Sequence, residues 1–280
     1  MLELENKNEK IVSVQRQLDE LNGIERVLVL SDLHVPFHLE EEILKIVNKH
    51  KDTISRIVFA GDIMDCFSVS SFPKDYHIPL TQELDLTSSL LKKVDRLTPN
   101  IPKVLFFGNH EYRFRRFLAN QEFDLATFFD TNILQIIKKG FSYRTIGNKK
   151  RTVSPLSNNF TVIDSWFYQY QDVIFAHPTN FSRVPMKTAH NTYLYFQNNG
   201  YKFNAVAIGH THKLGNFHIG PSLVSELGCL CQTMDYANRG NINNTPQVNG
   251  YGLYTFQDGK CLVDQSGACF IGHEMRNELG

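Results

Sequence analysis

Ile57-Val58-Phe59-Ala60-Gly61-Asp62-Ile63-Met64-Asp65 is the stretch whose reading decides the fold. Four apolar or small residues run into a glycine, then a carboxylate, then a second carboxylate three residues on. An unbroken apolar run bounded by glycine and charge predicts a strand buried on both faces, as in a helix-covered sheet. A carboxylate just past the end of such a strand stands where open α/β sheets bind their ligands. Taken alone, the stretch reads equally well as an ordinary turn from strand to helix. Four further strand-like runs end in the same way, and the repetition points to a shared site.

Upstream, a strand at 26–30 delivers Ser31-Asp32-Leu33-His34, and a helix over about 40–50 leads to the strand at 56–60. Asp32 and Asp62 are 30 residues apart, about one βαβ unit. Its right-handed crossover makes the two strands parallel and brings both polar ends to one edge. Downstream, residues 66–79 read as a lid-like loop and 80–97 as a helix. A third strand at 103–107 delivers Gly108-Asn109-His110-Glu111, a fourth at 172–176 delivers His177, and a fifth at 204–208 delivers Gly209-His210-Thr211-His212. Residues 111–170, with helices near 112–119 and 125–138, read as a cap or insertion whose flanks return to the same sheet. Beyond His212, short alternating runs at 216–219, 223–227, 252–257 and 261–264 predict an antiparallel second sheet. At the other end, Ile11, Val14, Leu18 and Leu21 form one apolar stripe before Asn22-Gly23. Residues 1–23 therefore read as a helix packed on, or extending from, a domain spanning 24–280.

The 280 residues are 42% hydrophobic, enough for a full core, and the formal net charge is zero. No global field draws the chain to nucleic acid or membrane, so any such attraction has to be local. No apolar run reaches membrane-spanning length and no signal-peptide pattern opens the chain, so the expected location is cytoplasmic. The five cysteines are odd in number, and Cys229-Leu230-Cys231 lacks the spacing of a zinc knuckle. They read as reduced thiols. No nucleophilic-serine or P-loop motif is found.

The five strand ends bring together Asp32, His34, Asp62, Asp65, Asn109, His110, His177, His210 and His212. Imidazole, carboxylate and one amide, with no thiolate, suit borderline-hard divalent ions such as Mn, Fe, Zn, Ni or Co. The donors are too many for one tetrahedral zinc and suit two ions sharing a carboxylate.

Asp32-x-His34, Gly61-Asp62-x-x-Asp65, Gly108-Asn109-His110-Glu111, the lone His177 and Gly209-His210-x-His212 resemble, in order and spacing over about residues 25–215, the five motifs of the calcineurin-like metallophosphoesterases. The wording is most similar to the branch common in bacterial and phage genomes. The resemblance implies an α/β, four-layer fold: a two-sheet β-sandwich flanked by helices. It implies one ion held by Asp32, His34, Asp62 and His212, and a second held by Asp62, Asn109, His177 and His210. Manganese is the first expectation for both, with Fe, Zn, Ni, Co or Mg as alternatives. The implied reaction is hydrolysis of a phosphate ester by a metal-bridged hydroxide attacking phosphorus in line. His110 is implied to contact the phosphate or protonate the leaving oxygen. Asp65 then hydrogen-bonds the far nitrogen of His110, fixing its tautomer and favouring imidazolium.

Two positions depart from the family pattern. Cys66-Phe67 stands where the protein Ser/Thr phosphatase branch has Arg-Gly, which argues against dephosphorylation in that style and makes Arg113 the candidate phosphate-binding residue. Ala176-His177-Pro178 lacks the usual glycine, though His177 can still ligate. For substrate, Lys138, Lys139, Arg144, Lys149, Lys150 and Arg151 interleave with Phe141 and Tyr143, a pattern suited to single-stranded nucleic acid. That favours a phosphodiesterase or nuclease binding nucleic acid through 138–151. The zero net charge favours the alternative, nucleotides or other small phosphate esters. A non-catalytic scaffold fits poorly with a complete ligand set.

Overall fold

The computed structural model describes residues 17–19, 21–121, 132–145, 147–233 and 247–272. The apolar runs of the sequence form strands β1 (Ile24–Leu30), β2 (Arg56–Ala60) and β3 (Lys103–Phe106), paired in parallel as expected. Helix α1 (Glu40–His50) joins the first two, and α2 (Leu80–Leu97) joins the second and third. Helix α1 opens on three glutamates and closes on Lys49 and His50, which complements its dipole, and it buries Ile43, Ile46 and Val47.

The first sheet continues from β3 to a parallel β6 (Phe160–Ile163). On its other side β1 pairs antiparallel with β12 (Gly250–Gln257), which also carries β13 (Lys260–Cys261) and β14 (Gly267–Phe270). The second sheet runs β10 (Leu214–Ile219), β11 (Ser222–Leu227), β9 (Ala205–Ile208), β8 (Val173–Ala176) and β7 (Phe167–Tyr170). Here the structure corrects the sequence reading. The strands delivering His177 and His210 pair with each other in the second sheet, not with β3, while β12 and β13 join the first sheet. The region 111–170 is likewise more than an insertion, because β6 and β7 within it complete one strand position in each sheet.

Period-2 alternation explains how both sheets stay buried. Val27 and Val29 of β1 point into the layer between the sheets, with Val58, Phe175, Ala207 and Tyr254. Leu28 and Leu30 point the other way, onto Ile43, Ile46, Leu90 and Leu91 of α1 and α2. On the far face, Ile174, Val206 and Val224 pack under Ala189, Tyr193 and Phe196 of α5 (Lys187–Asn198). The result is the expected four-layer α/β sandwich of two sheets between helices.

The remaining elements are α3 (Glu111–Gln121), α4 (Ile133–Lys139) and the hairpin β4 (Phe141–Arg144) with β5 (Lys150–Val153). The helix expected over 125–138 falls partly outside the described residues. So does most of the N-terminal helix expected over 1–23, although Asp19 pairs with Arg26 of β1. Among the described residues no helix is long and apolar enough to cross a membrane.

Phe196 is fully buried and meets Trp166 (5.2 Å between centroids, 19° between planes), Phe167, Tyr195 and Tyr201. Truncating it leaves a cavity in a layer only one helix thick. Phe196→Ala is expected to cost about 3–5 kcal/mol in urea unfolding and to alter the emission of Trp166, the sole tryptophan.

Candidate metal centre

Every strand that ends at the site is apolar to its last residue, so its chain turns abruptly into polar loop at the sheet edge. Asp32 (φ 54°), His34 (50°), Asp62 (48°), His210 (80°) and His212 (54°) all adopt left-handed backbone there. Such residues cost about 1–3 kcal/mol each and persist where the surroundings over-determine them. The surroundings do so. Asp32 N donates to Gly61 O (3.2 Å) and His34 N to Asp62 O (2.9 Å), locking the first two loops together. Asp62 is wedged so tightly that a Cβ on Gly108 would fall onto its carboxylate, and one on Gly61 (φ +79°) would strike the His177 ring.

Both aspartates are buried and held by donors. Ser31 Oγ donates to Asp32 Oδ2 (2.5 Å), and His210 N donates to both Asp32 oxygens (3.0 Å each). His110 N donates to Asp62 Oδ1 (2.9 Å). His177 Nδ1 lies 2.8 Å from Ala60 O and donates its proton there, turning Nε2 toward Asp62 Oδ2 at 3.1 Å.

Two clusters of donors result. In one, His34 Nε2 and His212 Nε2 face each other at 3.0 Å, with Asp32 Oδ1 3.3 Å from the latter and 3.8 Å from the former. Asp62 Oδ2 is also 3.8 Å from His34 Nε2. In the other, Asp62, His177 and His210 offer ligand atoms within 4.8 Å of one another. His177 Nε2 and His210 Nε2 of this cluster are buried without a hydrogen bond, as is Asn109 Oδ1 in the loop after β3. Buried polar atoms are rarely left orphaned, so these lone pairs fit a cation. Asp62 belongs to both clusters, with Asp32 and His34 in one and with His177 and His210 in the other.

Electrostatics point the same way. Burial resists charge on His34, but hydrogen bonding to Asp32 and Asp65 outweighs it and holds the pKa up at about 10. Against the same burial, Asp62 and Asp32 hold His177 at about 9, and Asp32 with Cys229 holds His212 at about 9. His210, buried and repelled by His177, is pulled down to about 4. Despite burial, Asp32 and Asp62 stay well below the usual carboxylate range through their histidine neighbours. The aspartate charges are thus matched by imidazolium protons, which a bound cation has to replace.

His110 sits at the rim. Its Nδ1 is 3.0 Å from Asp65 O and 3.2 Å from Asp65 Oδ2. The Asp65 carboxylate also reaches His34 Nδ1 (3.2 Å) and Arg113 (3.3 Å). It is therefore shared three ways. Burial lowers the His110 pKa and outweighs Asp62 and Asp65, which both favour imidazolium there. Arg113 does reach the site, with NH2 2.8 Å from His110 Nε2.

Two features were missed. Glu111, buried, accepts from Asp62 N (3.1 Å), Met64 N (2.9 Å) and Gly108 N (2.9 Å), tying the second loop to the third. Burial, reinforced by Asp62, pushes its carboxyl up to about 7. The position of Glu111 directly after His110 was the only available signal. A thiol also stands where none was expected: Cys231 offers sulfur within 4.8 Å of His34 and His212 ligand atoms. Its neighbour Cys229 hydrogen-bonds both Cys231 and His212, which holds the Cys229 thiol down.

A β-sandwich with carboxylates and imidazoles converging at its strand ends defines a metal-dependent hydrolase. The family model for calcineurin-like phosphoesterases matches residues 25–214, and the chain belongs to that family. It is a metal-dependent phosphoesterase. Similar solved structures include vacuolar protein sorting 29 from Cryptosporidium parvum, at 14% identity and TM-score 0.41 over 89% of this chain and 99% of that one. A novel archaeal phosphodiesterase shares 13% identity at TM-score 0.40, covering 88% of this chain and 99% of its own. A metallophosphoesterase from Sphaerobacter thermophilus shares 12% identity at TM-score 0.38, covering 83% of each. No curated protein gives a significant match.

Two outcomes are expected. Because His34, His177 and His212 hold protons up to about 9–10, metal loading must displace them. Apparent Mn²⁺ affinity should therefore tighten from pH 6 to pH 8, by roughly tenfold per pH unit for each proton displaced, in calorimetric titrations. Glu111→Gln turns an amide against a backbone N–H; it should cost about 1–3 kcal/mol of stability in urea and weaken Mn²⁺ binding in the same titration.

Proposed function

We propose that the chain is a dinuclear-metal phosphodiesterase. The observation that carries this is the pair of orphaned nitrogens His177 Nε2 and His210 Nε2 beside Asp62, next to a second cluster reached by the same carboxylate, with Asn109 Oδ1 also orphaned in the loop after β3. Asp32, His34, Asp62 and His212 would hold one ion, and Asp62, Asn109, His177 and His210 the other. When bound, such ions supply positive charge to the phosphoryl oxygens and activate water for attack.

The chain's own residues do the rest. Asp62 and Asp32 are fixed by His110 N and His210 N, so the donors are aimed before any ion arrives. His110, at the rim of this cluster, donates to the leaving oxygen once Arg113 turns from its Nε2 to the phosphate and that nitrogen carries a proton. Asp65 orients it through Nδ1, and Arg113 adds a guanidinium where phosphate charge develops. Manganese fits the imidazole–carboxylate–amide donors. The five free thiols fit a reducing compartment, the cytoplasm.

Bis-p-nitrophenyl phosphate should be hydrolysed with Mn²⁺ and not after chelation. Asp62→Asn should lose metal and activity together, whereas His110→Ala should keep two ions per chain by elemental analysis while losing turnover by about 100-fold or more. Loss of metal in His110→Ala would overturn its assignment as the acid.

A second reading, binding of single-stranded nucleic acid, is favoured by the exposed Arg144, Lys149 and Lys150 of the β4–β5 hairpin. Its basic strip is narrower than the sequence suggested. Arg151 pairs with Asp85 (2.5 Å), and Phe141 packs on the helix-side core instead of standing free to stack. Replacing Lys149 and Lys150 by Gln should weaken binding of labelled single-stranded DNA and flatten its salt dependence by about one unit of slope. Salt-insensitive or absent binding by the wild type leaves only small diesters as substrates.

A further inference from the structure

A cavity of about 560 Å³ lies between the start of α3 and the loop after β8. That is the size of a site for a small organic molecule. It is built directly onto the cluster of orphaned donors. Tyr112, on its wall, comes three residues after Asn109, and Pro178 follows His177. Phe181, also on the wall, meets the His210 ring edge-on at 5.7 Å. Phe181 thus joins the cavity to the cluster, within reach of one ester arm of a phosphate held there.

The lining specifies what kind of arm. Four aromatic rings, Tyr112, Trp166, Phe181 and Tyr195, face it together with the amides of Asn180 and Asn191. Among the described residues that line it none is charged, so it offers nothing to a second phosphate or to a charged sugar acid. Planar rings take a planar group face to face, and amides pair with its polar edge. Phe181 (62% exposed) and Tyr195 (50% exposed) have free ring surface to give. The wall is also preformed. Ser182 N donates to Thr188 Oγ1 (2.8 Å) and Lys213 Nζ donates to Ser182 O (2.7 Å), pinning the loop that carries Phe181.

We infer that this cavity is a nucleoside subsite: it holds an uncharged base and its sugar while the attached phosphate meets the metal centre. The inference rests on the phosphodiesterase reading and names the substrate class, a nucleotide ester. Trp166 on the wall is the only tryptophan of the chain, so its fluorescence reports occupancy.

The Mn²⁺-loaded protein is titrated with AMP and with ribose 5-phosphate, following Trp166 emission and, in parallel, calorimetry. AMP is expected to quench saturably and to bind at least tenfold more tightly than ribose 5-phosphate. Phe181→Ala and Tyr195→Ala should each shrink that ratio by roughly fivefold or more, as loss of a stacking ring does. Both rings are largely exposed, so the variants should fold, which circular dichroism checks. Equal affinity for the two ligands, or variants that weaken both alike, would overturn the subsite. Bis-p-nitrophenyl phosphate turnover in the same preparation separates the two ideas. Hydrolysis without a nucleotide preference removes the subsite alone. Nucleotide preference without metal-dependent hydrolysis keeps the subsite and removes the enzymatic reading on which it was built.

Discussion

Two buried carboxylates, Asp32 and Asp62, are the constraint on which the rest of this structure depends. Ionised groups cut off from water are costly unless every lone pair finds a partner. The chain meets that demand with main-chain N–H groups of His110 and His210, the Ser31 hydroxyl and an inner ring of imidazoles. Satisfying them in so little space forces the left-handed backbone at both aspartates and at three histidines. It also excludes any side chain at Gly108. Strain, glycine placement and histidine protonation therefore share one electrostatic origin.

The carboxylates outside that ring serve a different end. Glu83, in the first turn of α2, accepts from Phe67 N (2.8 Å) and Ser68 N (3.1 Å). Glu111, the first residue of α3, accepts three N–H groups from the loops after β2 and β3. Two helices thus grip one loop, 62–68, from both sides through backbone amides. The segment that looked in sequence like a free lid is anchored at its root.

The candidate centre was largely legible in the sequence, because it is made of residues that interrupt apolar strands abruptly and in a fixed order. The sheet to which each strand belongs was not. Val-Ile-Phe-Ala at 173–176 and Ala-Val-Ala-Ile at 205–208 are buried on both faces wherever they lie, so their composition carries no address. Strands β6 and β7 were hidden because four residues of mixed polarity, such as Phe-Tyr-Gln-Tyr, show no clear period. Glu111 escaped because its partners are backbone amides, which have no sequence signature. Cys231 escaped because a distance of 19 residues from His212 across two strands has no ligand-like spacing. Nor did anything in the spelling of the basic run announce Asp85 as a partner for Arg151.

The sheet assignment has a mechanical consequence. Asp32, Asp62 and Asn109 hang from the first sheet, whereas His177, His210 and His212 hang from the second. The layer between them is apolar and non-directional, and at its site end His210 N on Asp32 and His177 Nδ1 on Ala60 O tie the halves together. A cation drawing ligands from both sides would act as a further rivet at the end of that layer. Its binding energy adds to cohesion between the halves of the sandwich as mass action dictates. Metal supply would then bear on how firmly the two halves of the sandwich hold together.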